Sequence, residues 1–322
     1  METQASIQTV QLGPNGPTVP ALGIGTWSWG DSLFWQYGKD YGADEVRQAF
    51  EAAISAGINF FDTAEIYGLG ESEKLLGQFM QTADSPVIVA TKYFPLPWRF
   101  SGQAVADALT ASLKRLQLPT VALYQVHWPF DFLMSQKTLM NALADEVKQG
   151  RIQSIGVSNY SAQQMREAHG YLAERGVPLA VNQVQYSLLH RKIESNGVLD
   201  TAKELGVTIL AYSPLAQGLV TGKYRVENYQ KPTGARSLDP RFSKNGLAKI
   251  APVIGVLDRV GAAHDRTSAQ VALNWLIGQG NVVPIPGAKN AGQATQNAGA
   301  LGWEMTAAEQ EEIEQVTQPW LS

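Results

Sequence analysis

The sequence predicts an α/β chain folded as a (β/α)8 TIM barrel with an N-terminal β-hairpin cap, and three observations carry that expectation. Short apolar runs recur eight times along 322 residues, each followed by a loop and a helical pattern. The runs are continuous rather than alternating, as expected of parallel strands covered on both faces. No early strand leads into the glycine fingerprint of an open doubly wound sheet, the competing architecture. The nearest stretch, GIGTWSWG from Gly23, lacks a third glycine in register and puts Trp27 and Trp29 where a phosphate needs bare backbone.

Taken in order, IQTVQLGPNGPTVPAL places GPNG between two β-like stretches, a hairpin expected to cap the bottom of the barrel. The eight strands are expected at ALGIG (21–25), INFFD (58–62), VIVAT (87–91), VALYQVH (121–127), IQSIGVS (152–158), LAVNQVQY (179–186), VTILAY (207–212) and VVPIP (282–286). In DEVRQAFEAAISAG, Val46, Phe50 and Ile54 share a stripe behind an N-cap at Asp44. ADALTASLKRLQL is a second amphipathic segment, and LMNALADEVKQG ends on a C-capping Gly150. SAQQMREAHGYL and SAQVALNWLIGQG share a serine start. The interval between the seventh and eighth strands is the longest, and RVENYQKPTGARSLDPRF within it reads as a surface loop. No linker divides the chain, so a single domain over 1–322 is expected.

Composition narrows the function classes. The chain is 44% hydrophobic with a net charge of −4 and scattered basic residues, so neither nucleic acid nor an anionic membrane is an expected partner. With no cysteine, disulfides, thiolate nucleophiles and Cys-ligated zinc are excluded. His127, His169, His190 and His264 have no ligand-like spacing, so no metal site is expected. METQASIQTV lacks the basic start and apolar core of a secretory signal, and no apolar run has the length of a membrane span. A cytoplasmic protein acting on a small molecule is the expectation.

Barrel chemistry sits at the C-terminal ends of the strands. Asp62 closes the second expected strand, Lys92 follows the third and His127 closes the fourth. Neighbouring strands lie ~4.8 Å apart. The acid and the lysine can therefore pair across one gap, with the histidine one strand further and Tyr67 folding back from the loop after Asp62. Singly, these residues read as a helix cap, a surface charge, a core histidine and a loop anchor. An acid, a lysine and a histidine at one depth on consecutive strands is not a packing pattern.

The segments GINFFDTAEIYGLGESEKLLG, VATK, LYQVHWP and IGVSNYS resemble the signature segments of the aldo-keto reductase family, in order and at its separations. The likeness runs from LGIGTWSWG to IPGAKNAGQATQNAGALGW, and the chain is most similar to the plant and cyanobacterial branch related to pyridoxal reductases and, more distantly, to potassium-channel β subunits. The resemblance implies an NADPH-dependent carbonyl reductase with the tetrad Asp62, Tyr67, Lys92 and His127. For the nicotinamide end of NADP(H) it implies Gly25, Thr26, Trp27, Asp62, Ser158, Asn159 and Gln183, with Tyr212 stacked on the ring. It implies Ser213, Pro214, Leu215, Gln217, Gly218 and Lys223 around the pyrophosphate. Pro286, Gly287, Lys289, Gln293 and Asn297 would surround the adenosine end, with Lys289 on the 2′-phosphate at a helix N-terminus. Many members carry arginine where this chain has Gln293, which leaves NAD(H) possible. Trp27, Trp98 and Trp128 would wall the substrate pocket, with Trp29 and Phe94 at the same rim.

The tetrad also makes chemical sense apart from the resemblance. Hydride added to a carbonyl carbon leaves charge on oxygen, and a proton donor must wait there. Tyrosine serves if its pKa of ~10 comes down, each unit requiring about 1.4 kcal/mol. A lysine ammonium beside the phenol is expected to bring it down, with Asp62 keeping the buried lysine charged and a neutral His127 orienting the substrate oxygen. Two other readings stand beside this one: a cofactor-binding regulatory subunit without significant turnover, and a Schiff-base isomerase or aldolase using Lys92. The GLVTGKY stretch fails as a P-loop because Tyr224 follows Lys223, and the Asn159-Tyr160-Ser161 glycosylation match is set aside for want of a secretory signal.

Overall fold

The computed structural model describes residues 7–131, 134–230, 232 and 234–321. The start of METQASIQTV, two positions of the long loop and the last residue of the tail QPWLS lie outside the described residues. The hairpin is observed: β1 (Thr9–Gln11) pairs antiparallel with β2 (Thr18–Pro20). Eight further strands follow, β3 (Ile24–Gly25), β4 (Phe60–Asp62), β5 (Ile88–Tyr93), β6 (Val121–Val126), β7 (Ile152–Ser158), β8 (Leu179–Gln185), β9 (Thr208–Tyr212) and β10 (Val282–Pro284). They pair in parallel in chain order from β3 to β10. A parallel bridge from Gly25 to Gly287 then joins first to last and closes the barrel. Gly23 N–H donates to Pro284 O and Gly25 N–H to Pro286 O, each at 3.0 Å. Pro284 and Pro286 have no N–H to contribute, which keeps the seam short.

Helices α1 (Ala43–Ser55), α2 (Glu71–Met80), α3 (Gly102–Leu116), α4 (Gln136–Lys148), α5 (Ala162–Ala173) and α6 (Val198–Leu205) each follow one strand. Helices α7 (Lys244–Ala263) and α8 (Ser268–Ile277) both fall between β9 and β10, and α9 (Ala291–Ala298) and α10 (Ala307–Thr317) complete the chain. Among the described residues no helix is long and apolar enough to cross a membrane.

Several boundaries differ from the sequence reading. Helix α1 starts at Ala43 with Gly42 as its cap, because Glu45 reaches back to accept from Gly42 N–H at 2.7 Å. Asp44 is therefore inside the first turn, where it pairs with Arg47 at 2.7 Å. Ser161 does cap α5, in a reciprocal box with Gln164, whereas α8 is capped by Thr267 and the neighbouring Ser268 hydroxyl donates to Asp258. Gly150, at φ +75°, follows the end of α4 as a left-handed stop.

Two hydrophobic layers hold this frame. One fills the space between the sheet and the helices and takes Phe61, Val89, Tyr124 and Ile209 from the outward faces of the strands. The other fills the barrel with Phe60, Ala90, Leu123, Val181, Leu210 and Val283, and the hairpin contributes Leu12 and Val19 to it from below. Gly13 seals that plug. Its N–H donates to Thr208 Oγ1 at 2.9 Å, its φ is +62°, and a Cβ there would stand 2.5 Å from Ala180 Cα. Gly13→Ala is expected to lower unfolding stability by about 1–2 kcal/mol from the left-handed backbone alone, with more from displacement of the hairpin. An unchanged urea midpoint would show that the hairpin does not clamp the barrel floor.

Candidate active site

Strand parity builds the site. Side chains two apart share a face, so the residues two positions beyond the inward apolar layer also point inward. They are Asp62 after Phe60, Lys92 after Ala90, Gln125 after Leu123, Gln183 after Val181 and Tyr212 after Leu210. The barrel interior is thus greasy at mid-height and polar at its top. Gly156 on β7 makes room for this layer, since a Cβ there would lie 2.9 Å from Gln125 Cγ.

Lys92 is the hub. The sequence reading puts it after its strand; it lies within β5, because pairing to β6 continues through Tyr93. Its ammonium is fully buried and donates to Asp62 Oδ1 at 2.5 Å, Thr63 O at 2.8 Å and Tyr67 Oη at 3.2 Å. Three N–H bonds meet three oxygens. Burial pulls the lysine toward neutrality, but Asp62 and Tyr67 outweigh it and its pKa stands above 10.5. Asp62, 2% exposed, spends its other oxygen on Gln125 Nε2 at 2.9 Å and Gln183 Nε2 at 2.8 Å. Gln125 escapes the sequence reading because it sits inside an apolar strand; its parity with Leu123 is the available signal.

Tyr67 departs from expectation. The sequence suggests a phenol drawn down by Lys92, yet its pKa is raised above 10. Burial disfavours the phenolate most, Lys92 opposes that, and Asp62 adds repulsion of its own. The carboxylate that keeps Lys92 charged also opposes that charge at the phenol. Tyr67 is therefore a firmly protonated phenol at neutral pH.

His127 comes directly after the last residue of β6, and its ring meets Tyr67 edge-on at 5.7 Å. Burial first, then the Lys92 charge, lowers its pKa to about 3, so the imidazole is neutral. Its Nδ1 is buried without a hydrogen-bond partner, and its orientation rests on packing between Tyr67 and Phe94, the latter at 5.5 Å.

The strand-end residues expected at the nicotinamide are gathered beside this cluster. Asn159 Oδ1 accepts from Tyr212 Oη at 3.1 Å, while its Nδ2 donates to Ser158 Oγ and His127 O. Gln183 gives its N–H bonds to Asp62 and to Gln125 Oε1, so only its carbonyl oxygen is left to face a ligand. Thr26 is fully buried and donates to Asp62 O through N and Oγ1, supporting the acid from behind. Of the eight non-glycine residues with positive φ among the described residues, six (Gln36, Leu69, Asn159, Ser213, Ala216 and Gln217) stand in the loops at this end of the barrel. Such backbone is sparsely populated and collects at functional sites. Pro214, Leu215 and Gly218 belong to the same turn, whereas Lys223 is exposed and rests 5.8 Å from the Tyr224 ring.

On the segment after β10, Lys289 Nζ lies 4.6 Å from the Trp35 ring and 4.5 Å from the Tyr41 ring, and burial lowers its pKa to about 8. Arg236, from the long loop, stands 5.5 Å from the same indole. Trp35 Nε1 and Arg236 Nε are buried without partners. Two cations and two orphaned donors at one place fit an anionic group. Gln293 accepts from Lys289 N–H, and Asn297 donates to Gly287 O. Trp35, Tyr41 and Arg236 are not picked out from the sequence, because two loops distant in the chain bring them to Lys289.

The rim is aromatic. Trp27 contacts Tyr67, Phe34 and Trp35, and Trp128 stacks on Phe130 at 6.1 Å, which in turn touches Phe94. Trp98 is 67% exposed on the loop after β5. Trp29 is fully buried beneath the rim, its indole N–H donating to Ala288 O.

The His127 environment has a measurable consequence. With a folded pKa near 3 against an ordinary 6.5, the unfolded chain binds a proton in that window that the folded one refuses. Stability falls as pH drops from 6.5 toward 3. His127→Gln is expected to remove that part of the slope in denaturant titrations across this range; an identical slope would contradict a buried neutral imidazole.

Comparison with known proteins identifies the family. The sequence pattern of the Aldo/keto reductase family matches residues 21–318. The chain is 39% identical over 319 residues to the chloroplastic pyridoxal reductase of Arabidopsis thaliana, covering 95% of this chain and 85% of that one. Among solved structures it is similar to the glycerol dehydrogenase of Gluconobacter oxydans, with a TM-score of 0.84, 27% identity and coverage of 97% and 96%. It is also similar to an aldo-keto reductase of Klebsiella pneumoniae in complex with NADPH, with a TM-score of 0.75, 27% identity and coverage of 97% and 95%. A buried Asp–Lys pair under a tyrosine, at the top of a closed parallel barrel, thus belongs to a chain of the aldo/keto reductase family, an NAD(P)H-dependent oxidoreductase.

Proposed function

We propose that the protein reduces a flat aromatic aldehyde of the pyridoxal type to its alcohol, with NADPH as reductant and Tyr67 as proton donor. The observation that carries this reading is the single ammonium of Lys92 shared by Asp62 and Tyr67 at 2.5 and 3.2 Å, beside a neutral His127. The aromatic rim suits a flat ring, and a relative at 39% identity is named for pyridoxal.

A bound reduced nicotinamide supplies the hydride, and the chain's residues do the rest. Ser158, Asn159 and the Gln183 carbonyl would hold its carboxamide, and Tyr212 its ring face. Oxygen of the aldehyde accepts from Tyr67 Oη–H and from His127. As charge builds on that oxygen, Tyr67 transfers its proton, and Lys92 stabilises the phenolate left behind. Asp62 keeps the ammonium charged throughout. A phenol protonated at rest is the form from which Tyr67 can give its proton in this direction. Lys92 is a poor Schiff-base amine in this setting, because the proton it would have to lose is held by Asp62. Lys289, assisted by Arg236 and Trp35 Nε1, would hold the 2′-phosphate. This offers a cation in place of the arginine missing at Gln293, and it favours NADP(H) over NAD(H).

Tyr67→Phe is expected to lower the rate of NADPH oxidation with pyridoxal by about 10²–10⁴-fold, the usual worth of a general acid, while NADPH fluorescence titration gives an unchanged dissociation constant. Retained turnover would remove Tyr67 from the mechanism. Lys289→Met and Arg236→Met are each expected to weaken NADPH by about tenfold or more, the loss of one charge-assisted hydrogen bond, and to leave NADH little changed. Equal losses for both cofactors would place the two cations elsewhere than on the 2′-phosphate.

A further inference from the structure

We infer that the Glu65–Arg99 ion pair is a positioning device for His127, acting through Phe94; the inference rests on the functional reading of this same site. His127 needs such a device. Its Nδ1 has no hydrogen-bond partner among the described residues, and two rings are set edge-on to it. Tyr67 is one, at an interplanar angle of 82°, and Phe94 is the other, at 85°. Tyr67 is anchored by Lys92. Phe94 lies just beyond the end of β5, where ladder pairing has stopped, and needs another anchor.

The pair supplies it. Glu65 Oε1 accepts from Phe94 N–H at 2.7 Å, and Arg99 Nη1 donates to Phe94 O at 2.8 Å, so both backbone groups of Phe94 are held. Arg99 and Glu65 are themselves joined in a two-pronged bridge, at 2.5 and 2.9 Å, and are 16% and 9% exposed. The guanidinium lies 5.0 Å from the Tyr93 ring, closing the corner. Glu65 stands two residues before Tyr67 in the same loop. One carboxylate therefore ties the loop that carries the proton donor to the loop that carries the wall against His127. Such a forked contact is specific to arginine and carboxylate geometry.

The test is a cycle between Arg99→Met and Phe94→Ala, with Arg99→Lys as the conservative variant. Melting temperature and NADPH affinity are measured first, so that only folded, cofactor-binding variants are compared. With pyridoxal and NADPH, each single change is expected to lower kcat by roughly ten- to a hundredfold, the scale of a misplaced catalytic group. The double variant should lose no more than about twofold beyond the worse single one, because both act through one ring. Arg99→Lys should restore only part of kcat, since an ammonium does not form the fork. Losses that multiply, or an Arg99→Met enzyme with the native kcat, would overturn the positioning role. A second readout does not depend on turnover: the His127 ring proton signals in NMR, displaced by Phe94 and Tyr67, should move toward free-histidine values in Arg99→Met. Absence of wild-type reduction together with that displacement would fail the proposed function and keep the positioning role; unmoved His127 signals in an active enzyme would fail the positioning role alone.

Discussion

One buried ammonium sets the terms for the top of this barrel. Lys92 is fully enclosed and its three N–H bonds are divided between a carboxylate, a backbone carbonyl and a phenol. An uncompensated charge there would cost several kcal/mol, so the strands must deliver Asp62 to within bonding distance, and Asp62 must in turn be satisfied. Gln125 and Gln183 do that for the carboxylate, from β6 and β8, while Thr26, just after β3, holds the Asp62 backbone carbonyl. Removing the acid alone would leave a charge without a partner in a site that water does not reach. The polar layer is therefore all or nothing: a half-satisfied network of this kind is worse than an apolar one.

The same arrangement explains why the tyrosine is a donor rather than a base. Lys92 attracts the phenolate, but Asp62 stands behind it and burial favours the neutral phenol, so the sum raises the pKa. Lys92 thus matters most once the proton has left and the phenolate must be tolerated, and less in the resting state. His127 completes the logic by staying neutral, which avoids a second cation beside the first and leaves the imidazole as an oriented dipole.

Much of this is legible in the sequence, for reasons that can be named. Continuous apolar strands and regular helical beats are local signals, and they lead to the closed parallel barrel. Asp62, Lys92 and His127 stand out because charged or titratable residues interrupt apolar runs at equivalent ends. Gln125 does not, since one uncharged amide in VALYQVH looks like a tolerated polar residue until its inward parity is known. The Glu65–Arg99 fork and the meeting of Trp35, Arg236 and Lys289 join loops far apart in the chain, and no spacing encodes them. The direction of the Tyr67 shift is misjudged from sequence because the lysine is counted and the burial and the acid behind it are not. Asp44 is misassigned as a cap because the competing cap, Gly42, needs only the reach of Glu45.

The most direct measurement of the central interaction is a ¹³C titration of the Tyr67 ring carbon that bears the hydroxyl, in the wild type and in Lys92→Met. A phenol that persists to a pH above 10 in the wild type, and titrates still higher once the ammonium is gone, is the predicted result. A Tyr67 already ionised near neutrality, or one whose titration ignores Lys92, would contradict it.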